Sequence, residues 1–306
     1  MSRIPAIEKI AWGGWPNCWR IANGEVDLVV TGDVGPRIMR YGFIGGQNLF
    51  KVFEDQAGKS GEPVWQLRGG HRIWLAPEDA ERTYAPDNEA VDIEVHGGML
   101  TATQPVEPST GLQKQIAVKL APAGTAVEVI HRMKNSLPFA IRIAPWAVTM
   151  LAPGGTAVTG FPPRARHEDV LAPSNPLVMW AFTDLRDRRW TFLEKYLVLR
   201  HDPREAAHTK LGHFNENTWG AYLLGSDLFV KRYRADATKT YPDMGCSYET
   251  FASADMLEIE TLGPLTKVKP DAWIEHVEHW SLHRGVIVPD WTDAVLERVP
   301  GPLLEG

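Results

Sequence analysis

Two stretches late in the chain alternate with a period of two residues, and this pattern constrains the fold more than any other feature. In Met256–Leu262, Leu257, Ile259 and Thr261 alternate with Glu258 and Glu260. Successive side chains of an extended strand point to opposite faces, so one face is apolar and the other carries two carboxylates about 6.5–7 Å apart. In Glu275–His283, one face reads His276, Glu278, Trp280, Leu282 and the other Glu275, Val277, His279, Ser281. Gly263-Pro264 and Lys269-Pro270-Asp271 supply turn chemistry between the two segments. Acids, imidazoles and an indole placed by a rigid sheet are the parts of a polar-ligand site. The same pattern also fits the solvated outer face of an antiparallel sheet.

Strand-like segments come densely along the rest of the chain. They are Cys18–Ala22, Val26–Thr31, Arg37–Phe43, Asn48–Val52, Val91–Val95, Leu100–Gln104, Gln113–Leu120 and Ala126–Asn135 in the first half. Phe139–Met150, Leu177–Trp180, Tyr196–Leu199, Trp219–Leu224, Leu228–Tyr233 and Ser247–Phe251 follow. Turn pairs such as Asn23-Gly24, Gly45-Gly46, Gly97-Gly98 and Gly154-Gly155 punctuate them. Few segments hold a 3.6-residue apolar period, and Asp290–Arg298 is the best short helix, with Asp290 as its N-cap. The expectation is an all-β chain of two large sheets packed face to face, residues 1–306 forming one domain.

Charge and cysteine content narrow the function classes. The formal net charge is −6 and Lys and Arg are scattered, which argues against a nucleic-acid partner. No apolar run approaches the roughly 18 residues needed to span a bilayer, and no secretory leader is visible. Only Cys18 and Cys246 occur, which fits free thiols in a reducing, cytoplasmic setting, although a Cys18–Cys246 disulfide is open. The 12 Trp exceed what a core of this size requires, and exposed indole faces are what carbohydrate-binding proteins stack against sugars. Some of these rings belong to the core of a sandwich.

Alternation also says which residues share a face. His131 points with Val127, Val129 and Met133, the place of a hydrogen-bonded core histidine. Trp146 shares its face with Arg142 and Ala144, where it either floors a cleft or packs in a second layer. The segment Arg68–Asn88 (RGGHRIWLAPEDAERTYAPDN) is read as a polar, aromatic loop broken by Gly69-Gly70 and two Ala-Pro steps. Loops of this kind on a β scaffold concentrate binding residues. No metal constellation stands out, since His276 and His279 face opposite sides of a strand. There is no G-x-S-x-G elbow, phosphate-cradling Gly loop or C-x-x-C, so no cofactor is expected.

Three segments, GGHRIWLAPE (Gly69–Glu78), YPDMGCSYE (Tyr241–Glu249) and LEIETLGPL followed by EHVEHW, resemble the DUF4380-type proteins of the galactose mutarotase-like (aldose 1-epimerase-like) superfamily. The resemblance runs roughly from Asn23 to Arg284 and implies a β-supersandwich of large, mainly antiparallel sheets. It implies a carbohydrate as small-molecule partner and acid–base chemistry at the anomeric centre. In mutarotases a late-strand glutamate is the base, a place held here by Glu260, with Glu249 as a second candidate. Their acid is a histidine in an Asn-His-x-Tyr-Phe context, where this chain reads IAPWAV, with Pro145 and Trp146 and no histidine. His71 is the candidate replacement acid, Arg72 and Arg82 are candidate hydroxyl ligands, and Trp74 and Trp146 are stacking walls. Lys210, Asn215, Asp243 and Glu258 complete the candidate contacts. Two other readings remain: a non-catalytic carbohydrate-binding protein, and a lyase or hydrolase of acidic sugars in which Arg72 or Arg82 pairs the sugar carboxylate.

Overall fold

A computed structural model describes residues 4–162 and 164–304. Its strands form two large antiparallel sheets. The first, of eleven strands, starts at the edge with Ala6–Trp12 and continues through Trp15–Ala22, Val26–Thr31, Arg37–Phe43 and His71–Ala76. At its centre lies Ile141–Leu151, followed by Leu257–Leu262, Tyr248–Ala252, Thr209–His213 and Leu177–Met179, with Thr266–Val268 pairing the front of Ile141–Leu151. The second sheet, of ten strands, runs Trp190–Phe192, Tyr196–Arg200, Thr156–Gly160, Trp219–Leu224, Asp227–Tyr233, Trp273–His283, Val127–Asn135, Leu112–Leu120, Met99–Thr103, Asp92–His96.

The core lies between the sheets, where the apolar faces of both interdigitate. Tyr41, Phe50, Phe229 and Trp280 form a ring cluster at its centre, with centroids 5.6–6.4 Å apart. Mostly tilted and edge-on pairs of this kind suit the aromatic quadrupole. In Val127–Asn135 every second residue is buried, the signature of a strand with one wet face. His71–Ala76 and Leu257–Leu262 are buried at every position. Their outer face is therefore also covered, and the covering segments build the site.

Several expectations need correction. Arg68–Asn88 is not one loop, because His71–Ala76 is a strand near the middle of the first sheet. Gly69 and Gly70 precede it with φ of 95° and 75°, and a Cβ on them would meet Lys51 O at 2.1 Å and Ile38 O at 2.6 Å. Only glycine fits there. Asn48–Val52 makes two isolated bridges, at Phe50 and Val52, instead of a strand. The helix is shorter than expected, Asp293–Arg298, and its N-cap is Thr292 in place of Asp290. Its Leu296, with Leu304 from Gly301–Leu304, packs on the outer face of the second sheet against Val198, Trp219 and Val230. Cys18 and Cys246 are both buried and free. Among the described residues, no helix is long and apolar enough to cross a membrane.

Candidate functional site

The outer face of the first sheet carries the site, and strand register dictates who shares it. Arg72 lies opposite Val148, Val148 opposite Glu260, Glu260 opposite Glu249, and Glu249 opposite Gly212. Two residues along, Met150, Glu258, Phe251 and Lys210 form the next row of the same face. Two residues the other way lie Trp74, Trp146 and Leu262. Gly212 leaves its place in the first row vacant, and a Cβ there would come within 2.7 Å of Cys246 Sγ and 3.3 Å of the Trp180 ring.

These rows floor a cavity of about 290 Å³. Arg72, Trp74, Trp146, Lys210 and Glu258 line it from the sheet, and Trp65, Glu78, Tyr84, Trp180 and Phe182 close it from the connecting segments. The volume sits at the small end of the roughly 300–1,000 Å³ typical of small-molecule sites, room for a monosaccharide-sized ligand. Each cation is held against two indoles. The Arg72 guanidinium lies 3.7 Å from the Trp74 ring and 4.8 Å from Trp65, and Lys210 Nζ lies 4.7 Å from Trp146 and 4.6 Å from Trp180. A larger cleft of about 880 Å³ adjoins it, sharing Phe182 and His208. There Arg186, Arg189 and Arg204 are already paired with Asp184, Asp187 and Asp202, so size alone does not make it the better site.

Beneath the cavity floor one ammonium serves two carboxyl groups. Lys210 Nζ lies 2.8 Å from Glu260 Oε2 and 2.7 Å from Glu249 Oε2, and Trp146 Nε1 donates to Glu260 Oε2 at 2.8 Å. Burial works against the Lys210 charge, but Glu249 and Glu260 outweigh it and raise its pKa above the ordinary range. Glu249 also moves up, chiefly through burial and only partly offset by Lys210. Two acids facing one cation titrate as a coupled pair. Glu258, which lines the cavity, is pushed up to about 8 by burial and by the neighbouring Glu260, so its carboxyl is protonated at neutral pH. Asp243, with φ of 51°, is half-buried beside this group, and burial raises its pKa.

His71 does not join Glu260. It pairs with Thr149, which lies opposite Ile259, so His71 projects into the inter-sheet core while Arg72 and Glu260 project outward. There His71 belongs to a buried network. His131 Nδ1 donates to the His276 carbonyl at 2.9 Å, which leaves His131 Nε2 to accept from His71 Nε2 at 2.6 Å and His71 Nδ1 to accept from Thr149 at 2.8 Å. Thr261 accepts from His276 Nε2 at 2.7 Å and donates to Glu278, which also takes Trp280 Nε1 at 2.8 Å and Lys231 Nζ at 2.9 Å. Burial lowers the pKa of His71, of His131 and of His276, the last to about 3, keeping all three neutral. Ligand atoms of His71, His131 and Glu278 lie within 4.8 Å of one another, a spacing that could hold a metal ion. Lys231 already supplies the positive charge that Glu278 requires, which leaves that group no electrostatic need for an ion.

The remaining candidates divide simply. Arg82 is an exposed residue 3.6 Å from Asp79 and lies outside the cavity lining. Asn215 is buried and spends its amide on Thr159 and on the Trp219 carbonyl, a structural role. The face His276, Glu278, Trp280, Leu282 is a core face, neither a solvated one nor a ligand site. Sequence reasoning missed Trp65, Tyr84, Glu78, Trp180 and Phe182 as walls of the cavity. Glu78 and Tyr84 lie in the segment Arg68–Asn88 that the sequence marked as binding-rich, Trp65 and Trp180 had only the surplus of Trp as a signal, and Phe182 had none.

The sequence matches no family model, and no curated protein matches it. Solved structures do. A galactose mutarotase-like protein from Lactobacillus casei aligns with a TM-score of 0.58 at 10% identity, over 87% of this chain and 100% of its own. A galactose mutarotase-like protein from Clostridium acetobutylicum aligns with a TM-score of 0.56 at 10% identity, over 92% and 99%. A TPR-domain containing protein from Parabacteroides distasonis aligns at 0.59 and 14% identity, over 87% of this chain and 46% of its own. Identities this low carry the architecture and nothing finer. By its two large antiparallel sheets and by these similarities, the chain has the galactose mutarotase-like fold.

Proposed function

We propose that the chain, working as one cytoplasmic domain, binds an aldose in the aromatic cavity and moves protons at its anomeric centre. The observation that carries this reading is Glu258, a carboxyl that lines a cavity walled by indoles and is held protonated to about 8. It stands two residues from Glu260 on one strand face, a separation of about 6.5–7 Å. In this scheme Glu258 takes the acid role that the sequence assigned to His71. Glu258 gives a proton to the ring oxygen while Glu260 takes one from the anomeric hydroxyl, and the C1–ring-oxygen bond opens to the free aldehyde. Rotation about C1–C2 and closure with the roles exchanged gives the other anomer. The names of the structural neighbours and the resemblance of three segments to DUF4380-type proteins support a sugar as ligand.

A second reading, a non-catalytic sugar-binding protein, is favoured by one observation. Glu260 is completely buried, and its Oε2 is tied to both Trp146 and Lys210. Polarimetry of freshly dissolved α-aldoses, with calorimetric titration of the same sugars, separates the two. The enzyme reading predicts acceleration by the wild type that declines as pH rises through about 8, where Glu258 gives up its proton. It also predicts a loss of roughly 10²–10⁴-fold in rate for Glu258→Gln with binding retained. Binding without acceleration by the wild type establishes the binding protein, and no binding of any aldose contradicts both readings.

A further inference from the structure

The reading of the cavity as a sugar site leaves one of its charged groups unexplained. Arg72 is 1% exposed, and its guanidinium makes a single hydrogen bond, from Nη1 to the Leu67 carbonyl at 3.3 Å. Its Nε and Nη2 are buried and have no hydrogen-bond partner among the described residues. These two form the side edge of the guanidinium, the edge that receives the two oxygens of a carboxylate in one plane. The neighbouring strand shows the same edge filled. Arg37, in register opposite Arg72, sends Nε to Asp87 Oδ2 and Nη2 to Asp87 Oδ1, both at 3.0 Å.

Among the described residues, nothing does this for Arg72. Glu258, the acid beside it in the cavity, makes no ion pair with it and is kept neutral by burial and by Glu260. Burial and the nearby Arg37 charge lower the Arg72 pKa to about 9, and Glu258 and Asp87 offset this only in part. Trp65, which lines the cavity over Arg72, has a buried Nε1 that is likewise unpartnered. Leaving buried donors unpaired is costly, and a ligand that supplies acceptors removes that cost.

We propose that the sugar taken by this cavity carries a carboxylate, as a hexuronate does, and that the carboxylate seats on Nε and Nη2 of Arg72. The unpaired Arg72 edge supplies one positive charge, which the single negative charge of a carboxylate balances, and a cavity of about 290 Å³ suits a single residue of such a sugar.

Calorimetric titration at fixed ionic strength tests this with glucuronate, galacturonate, their neutral parents glucose and galactose, and glucose 6-phosphate. The wild type is expected to bind a uronate about 10- to 100-fold more tightly than its neutral parent, the range of a hydrogen-bonded charge pair. Arg72→Gln is expected to erase that preference, and Arg72→Lys, which keeps the charge but loses the fork, to restore only part of it. The wild-type comparison needs no variant, so a variant that fails to fold does not spoil the test. Equal or tighter binding of the neutral parent, a uronate preference that survives Arg72→Gln, or tighter binding of the hexose phosphate overturns the proposal and leaves the sugar reading standing. Binding of no sugar overturns both.

Discussion

Replacing Lys231 by methionine is expected to destabilise the fold by about 3–5 kcal/mol, read as a lowered urea midpoint. Lys231 and Glu278 are both completely buried, and their charged atoms lie 2.9 Å apart in the inter-sheet core. Burial alone would raise the Glu278 pKa, but Lys231 outweighs it and holds the carboxylate below the usual range. Removing the ammonium strands a charge with only Thr261 and Trp280 donating to it. The large expected loss comes from that stranded carboxylate and not from the intrinsic worth of the pair. Accordingly, Lys231→Met combined with Glu278→Leu is expected to recover much of it. A single-variant loss below about 1 kcal/mol, the scale of an exposed pair, would show that Glu278 is not carrying charge.

Stability is expected to peak near pH 6.5 and to fall on both sides, and the signs follow from the buried groups. Burial lowers the pKa of His71, His131, His213 and His276, to about 4 for His213 and about 3 for His276. The unfolded chain protonates these imidazoles below about 6.5 while the folded chain does not, so stability is lost as pH falls from there. Each contributes a slope of about 1.4 kcal/mol per pH unit until its folded pKa is reached. Glu249 and Glu258 act in the opposite sense. Their folded pKa values are raised, Glu258 to about 8, so the unfolded chain alone ionises them above about 4.5, and stability is lost as pH rises towards 8. Below 6.5 these histidines outnumber the two carboxyls. Above 6.5 the imidazoles no longer titrate, and the raised carboxyls set the direction of the slope. Urea titrations between pH 5 and 8 check the dome. A curve that keeps rising to pH 8 would mean that Glu249 and Glu258 ionise within the fold.

How much of this was legible beforehand depended on whether a segment had one wet face. Val26–Thr31, Arg37–Phe43 and Trp219–Leu224 were delimited to the residue, because turn-forming Gly, Pro, Asn and Asp lie close outside both ends of each. Leu257–Leu262 revealed its two carboxylates by simple alternation, and both do share the outward face of the first sheet. His71–Ala76 was missed because every residue in HRIWLA is buried, so its mixture of charge and aromatic character looked like a loop. Read as a strand, it would at once have put His71 and Arg72 on opposite faces. The network of His71, His131 and Glu278 draws on three strands far apart in sequence, and no local spacing announces it. The cavity walls have the same difficulty, since Trp65, Tyr84 and Trp180 arrive from connecting segments whose paths only the folded chain defines.

The account turns on the outer-face cavity being where a sugar sits. Diffraction from crystals grown with the aldose that titrates most tightly examines this most directly. The expected result is a pyranose ring among Trp74, Trp146 and Trp180, with its ring oxygen or anomeric hydroxyl within hydrogen-bonding distance of Glu258. A sugar bound at any other place, or a cavity holding only water at concentrations that saturate the titration, would contradict it.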